Sequence, residues 1–183
     1  MKQLMVVTFL AFAMASCNNG EKKSGSEPAA NKTDAVAEVK LPFSLEKPYK
    51  NWQMMTSNDN TIAAMNSLKA FVDKDFTTLA GTIGDSIDIK FDGYADKLSR
   101  DSAIKMFSAQ RPMYGDLTIT MYDYESVVSA DKKDEWVTIW YKQAWKDDKG
   151  KADSLNIIDD CKMQNGKLIE LDEKVQRFPP AKK

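Results

Sequence analysis

The chain has 183 residues, enough for one domain with appended segments. Its 43% hydrophobic and 29% charged residues, with four Trp, are the composition of a globular protein, and a formal charge of −1 with no basic block argues against nucleic acid as a partner. It has no His and only two Cys, which excludes Ser-His-Asp and Cys-His nucleophilic sites, His-containing zinc sites and a disulfide framework. Acid–base chemistry would therefore rest on Asp, Glu, Lys or Tyr.

Residues 1–16 carry Lys2, an apolar run from Leu4 to Met14, and small residues, the pattern of a secretory signal. The run is shorter than the roughly 20 residues of a bilayer-spanning helix. Its end, Met14-Ala15-Ser16-Cys17, resembles a bacterial lipobox, in which the Cys is lipidated and becomes the new N-terminus. That resemblance implies a membrane partner through a lipid anchor at Cys17 and a place in the bacterial cell envelope. Asn18 to Lys40 is polar and nearly free of large apolar groups, too poor in buriable surface to offset chain entropy. Residues 17–45 thus read as the lipidated Cys and a disordered tether, and 46–183 as the folded domain.

From Leu41 to Met55 the prolines predict an irregular lead-in, with Trp52 packing on the domain. A helix follows, capped among Ser57, Asn58 and Asp59, with Ile62, Met65, Leu68 and Val72 as its apolar stripe beside Ala64 and Phe71. Lys74-Asp75 breaks it, and a short helix runs from Phe76 to about Ile83, stopping at Gly84. Ser86 to Phe91 alternates as a strand, and Asp92-Gly93 turns the chain. Ser99 caps a third helix, with Ala103, Ile104 and Phe107 on its buried side, which Arg111-Pro112 ends. Asp59, Asp73 and Asp75 lack the glycine and closing Glu of a calcium loop, and neither metal nor cofactor is expected.

After Gly115 the pattern turns to strands: Leu117 to Ser129, Glu135 to Trp145, and a hairpin from Ser154 to Phe178. Asn165-Gly166 between alternating runs marks its tight turn. Alternation puts Leu155, Ile157, Asp159, Cys161 and Met163 on one face, so Asp159 sits amid apolar neighbours, where desolvation would raise its pKa. Trp136 and Trp140 share one face of their strand with Thr138, and Trp145 shares the other with Val137, Ile139 and Tyr141. These aromatic rings fill a core or line a pocket, for which Trp136, Trp140, Phe107, Ile157 and, at the mouth, Tyr94 are the candidates. Cys161 reads as a small buried hydrophobe. Helices first and long antiparallel strands last predict an α+β domain, its helices on one sheet face.

That element order, with Phe71-Val72-Asp73-Lys74-Asp75-Phe76 at the helix junction and Ile158-Asp159-Asp160 leading into Asn165-Gly166-Lys167-Leu168-Ile169, resembles the nuclear transport factor 2-like superfamily. The SnoaL-like cyclases and ketosteroid isomerases belong to that group. The resemblance covers Asn58 to Phe178. It implies a cone-shaped fold, three helices packed on a curved, mainly antiparallel sheet, around a pocket for a small apolar ligand. In the isomerase branch one Asp is the base and a second, protonated, donates to an oxyanion. By position Asp92 falls at the first and Asp159 at the second. The branch's oxyanion Tyr would lie one turn before Phe71, where this chain has Leu68. Three functions follow: a tethered, non-catalytic binding module; an isomerase, cyclase or dehydratase using Asp92 and Asp159; or an assembly module pairing two copies through the outer sheet face, as in many relatives.

Overall fold

A computed structural model describes residues 41–147 and 149–177. The signal segment, Cys17, the tether up to Lys40 and Phe178 lie outside the described residues. The chain divides into two units, Met1–Ser44 and Leu45–Lys183, and every helix and strand among the described residues belongs to the second.

Residues 45–52 carry no helix or strand, as the prolines imply, and Trp52 is half-buried. Two residues, Gln53–Met54, then form β1, a strand too short to leave a sequence signal. Helix α1 (Asp59–Asp73) begins where Ser57 Oγ accepts the Asp59 N–H at 3.1 Å. It ends at Lys74 in the left-handed region (φ 62°), and the Asp75 N–H closes back on the Ala70 carbonyl at 2.9 Å. Asp75 then caps α2 (Phe76–Thr82), accepting from the Thr78 N–H at 2.9 Å and its hydroxyl at 2.6 Å. The break expected at Lys74-Asp75 is therefore a paired stop and start.

Of the expected stripe of α1, Ala64 is buried and Met65, Leu68 and Phe71 pack against the core, but Ile62 lies off that face. Asn60, Ala64, Ser67 and Ala70 are buried, while Ile62 is 55% exposed. Small side chains let the helix sit close to the sheet, and Leu68 and Phe71 flank that seam.

Strand β2 (Ile83–Phe91) starts three residues before the expected Ser86, because Ile83 is already extended and pairs with Leu168. The Asp92-Gly93 turn leads into β3 (Tyr94–Ser99), a strand that the hydropathy pattern does not announce. Only Leu98 in β3 is shielded from solvent, so no alternation marks it. Ser99 caps α3 (Arg100–Gln110), and Arg111–Tyr114 forms a 3₁₀ turn. The long strands are β4 (Asp116–Val128), β5 (Glu135–Lys146), β6 (Ala152–Gln164) and β7 (Lys167–Arg177). Asn165 (φ 52°) and Gly166 (φ 70°) supply the two positive dihedrals of the last hairpin turn.

The seven strands form one curved sheet in the order β1-β4-β5-β6-β7-β2-β3, antiparallel throughout except for β2 beside β7. The α+β expectation holds. The helices cover the face that carries Ile87, Ile89, Val137, Ile139, Tyr141, Ile157 and Cys161, the core of the domain. Arg111, 4% exposed, ties the end of α1 to the start of β4. It donates from Nε at 3.1 Å and Nη2 at 2.8 Å to the Val72 carbonyl, and from Nη1 at 3.2 Å to that of Gly115.

Candidate functional site

Between the helices and the inner sheet face lies a cavity of about 550 Å³. Its walls are apolar: Leu68 and Phe71 from α1, Met106 and Phe107 from α3, and Phe91, Leu155 and Leu171 from the sheet. Phe107 packs edge-on against Phe71, with ring centroids 6.0 Å apart. Tyr94 stacks on Phe91 at 6.3 Å and is 39% exposed, which puts it at the mouth.

The polar groups are graded by depth. Asp159, 5% exposed, projects from β6 opposite Ile139 of β5 and Glu173 of β7. The Tyr141 hydroxyl donates to Asp159 Oδ2 at 2.9 Å, while Oδ1 is buried with no hydrogen-bond partner among the described residues. Burial, and then the charge of Glu173, push the Asp159 carboxyl well above the usual range; the Tyr141 hydrogen bond opposes this but is outweighed. Burial also pushes Glu173 up to about 7. The Tyr141 hydroxyl and the Cys161 thiol are raised by burial too, which keeps both protonated. Tyr114, Gln143, Ser67 and Gln110 add uncharged polar groups to the lining.

At the rim Asp92 is 65% exposed and accepts from Arg177 Nη2 at 2.8 Å. It lines the cavity with Asp159, so the two expected carboxylates open into one space, one engaged by a cation at the surface and the other buried. Among the described residues no cluster of acids or thiols is arranged to hold a metal ion.

Three of the expected pocket residues sit elsewhere. Trp136 and Trp140 are on the outer face of β5, since Val137, Ile139 and Tyr141 take the inner one. There Lys162 Nζ lies over the Trp136 ring, 5.8 Å from its centroid. Ile157 is on the inner face but is packed into the core opposite Tyr141 and does not line the cavity. Glu173 is the site residue that sequence alternation fails to reveal. After a two-residue turn, simple alternation pairs Asp159 with Asp172, but a bulge between Lys162 and Met163 shifts the register by one. A slip of one residue exchanges faces, turning Leu171, Glu173 and Val175 inward. The spacing from Leu168 to Leu171, three rather than two, is the trace of that bulge in the sequence.

No protein family and no curated protein matches the chain. Several solved structures do match by fold. A candidate SnoaL-like polyketide cyclase from Jannaschia sp. CCS1 superposes with a TM-score of 0.56 at 12% identity, over 68% of this chain and 90% of its own. An LEH-like epoxide hydrolase from M. tuberculosis gives 0.54 at 12% identity, over 67% and 86%. A nuclear transport factor 2-like protein of unknown function from Exiguobacterium sp. 255-15 gives 0.52 at 14% identity, over 63% and 99%.

Proposed function

We propose that this domain, which has the nuclear transport factor 2-like fold, binds a small and mostly apolar molecule by burying it between the helices and the sheet, with the molecule's polar end held at Asp159. The observation that carries this reading is the cavity of about 550 Å³ whose apolar walls end at a buried carboxyl oxygen that has no partner among the described residues. A site of that size suits a compact organic ligand. An environment-sensitive apolar dye added to the purified full chain should brighten and saturate, and Leu68→Trp, which enlarges a side chain lining the cavity, should abolish the signal. A dye that stays dark, or brightens equally with the variant, overturns the reading.

The same proposal includes a place. Cys17 would be lipidated after export and hold the domain to the membrane of a bacterial envelope, with acyl chains contributing roughly 0.8 kcal/mol per buried CH₂. Cys17→Ser should move the chain from the membrane fraction to the soluble one.

A second reading is favoured by one observation, that Asp92 and Asp159 open into one cavity. As an isomerase, cyclase or dehydratase, Asp92 would remove a proton beside a carbonyl and a protonated Asp159 would donate to the developing oxyanion. An epoxide hydrolase and a candidate polyketide cyclase share the fold, which adds plausibility but no chemistry, since one fold hosts many activities. Asp92 is held by Arg177 and is largely in solvent, so binding without turnover is the better supported reading. Deuterium wash-in at the α-carbon of a bound ketone, lost in Asp92→Asn, would reverse that order.

A further inference from the structure

We propose that the polar end of the ligand is an organic cation, an ammonium group on an apolar or aromatic body, received by Asp159 and Glu173 together. This rests on the binding reading above and names its ligand class.

Charge and hydrogen-bonding capacity at the buried end decide the class. Asp159 and Glu173 are direct cross-strand neighbours, so their side chains leave the same face of the sheet side by side. No lysine lines the cavity, and its one arginine, Arg177, is at the rim and engaged by Asp92. Among the described residues the inner end therefore holds two acids, Asp159 buried and Glu173 half-buried, and no base. The one donor that reaches Asp159, the Tyr141 hydroxyl, is already placed on Oδ2. Asp159 Oδ1 has no partner among the described residues, and no cation offsets the desolvation of Glu173, so what the pair lacks is a positive charge.

A ligand carbonyl can accept from a protonated Asp159 but brings no charge to offset the two acids, and a ligand carboxylate adds a third negative charge. An ammonium supplies three N–H donors and the missing positive charge. The walls suit the same guest. Phe71, Phe91, Phe107 and Tyr114 line the cavity, and aromatic faces attract cations as well as apolar groups.

Without ligand, a proton on the pair does the work of the missing cation. Burial and mutual repulsion hold it there up to about neutral pH. An entering ammonium displaces that proton, which leaves to buffer, so binding releases up to one proton. The titratable groups facing the pair are Tyr141 of β5, Cys161 of β6, Tyr114 of the 3₁₀ turn, and Arg177, Asp92 and Tyr94 at the rim; α1, α2 and α3 present none to the cavity. Asp160 and Lys174, on the other face, act on Asp159 through the sheet. Both Tyr141 and Cys161 are raised, so neither competes with the carboxyls near neutrality.

The test is calorimetric titration of the purified full chain with phenylbutylamine, phenylbutanol and phenylbutyrate, in buffers of different ionisation heat. The amine should bind at least about tenfold more tightly than the alcohol at about pH 8, and the butyrate more weakly than either. Proton release should accompany the amine alone, and its affinity should rise between about pH 6 and pH 8. Glu173→Gln, which removes a burdened charge without changing shape, should cancel the amine preference and the proton release and leave the alcohol unaffected; Asp159→Asn is the second variant. Equal binding of amine and alcohol without proton exchange overturns the cation proposal and leaves the binding reading standing. If none of the three binds, both fall.

Discussion

Two adjacent aspartates on β6 meet opposite fates. Asp160 faces outward and is satisfied twice, by the Thr138 hydroxyl at 2.6 Å and Lys174 Nζ at 2.6 Å. Asp159 faces inward to one hydroxyl and a neighbouring acid. That difference is what alternation says it should be, and the buried Asp was legible in the sequence for that reason. Its partner was not, because a bulge is needed to bring Glu173 round. The pairing has a cost that pH exposes. Glu173 binds its proton more tightly when folded, at about 7 against 4.5. Above the unfolded value the unfolded chain gives up the proton first, so the Glu173 contribution to stability falls as pH rises from about 4.5 to about 7, and the raised Asp159 adds a decline in the same direction. At 1.36 kcal/mol per unit the loss amounts to about 3 kcal/mol. Urea unfolding of the wild type should show this decline, while Glu173→Gln should make it shallower and exceed the wild type in stability at about pH 8. A wild-type profile that climbs across that window would contradict the desolvation of Glu173 beside Asp159.

Elements show where local signals suffice. The Asn165-Gly166 turn, the Lys74-Asp75 break and the Ser99 cap were readable because each is a local backbone requirement. The seam of α1 was readable in part: Ala64, Met65, Leu68 and Phe71 face the core as expected, while Ser67 and Ala70 are small residues that carry little hydropathic signal. β3 left none, being an edge strand with one shielded residue. Gly115 shows a nonlocal requirement. At φ 36° and ψ −119° it joins the 3₁₀ turn to β4, and an added Cβ would overlap the Lys146 carbonyl oxygen. Gly115→Ala should therefore cost about 2–4 kcal/mol by thermal unfolding, since both the dihedral and the strand must shift. Gly81, inside α2, has open space where its Cβ would be. Gly81→Ala should stabilise by about 0.5–1 kcal/mol. Similar effects of the two would mean that the close approach at Lys146 is not maintained in solution.

At the scale of the molecule, the order of helices and strands made the α+β class legible, and the order of strands in the sheet explains where the lead-in must go. β4 is the last long strand on one side, and an uncovered edge invites pairing with another chain. β1 covers it in part: Gln53 and Met54 pair with Val128 and Val127, and the Met55 N–H donates to the Ser126 carbonyl at 2.9 Å. Lys50 adds its carbonyl to the Ala130 N–H at 3.0 Å and its ammonium to Asp134 at 3.1 Å. Every residue of the buried core lies between Ala64 and Leu168. A chain beginning at Leu45 should thus keep the thermal midpoint of the full chain within about 2 °C, whereas one beginning at Thr56 loses β1 and the Lys50 contacts. Each net hydrogen bond contributes about 1 kcal/mol, so the shorter chain should melt roughly 5–10 °C lower and associate with itself on sedimentation through the bared β4 edge. Equal midpoints for the two chains would show that β1 only decorates the sheet; a large loss already at Leu45 would show that the domain depends on residues before it.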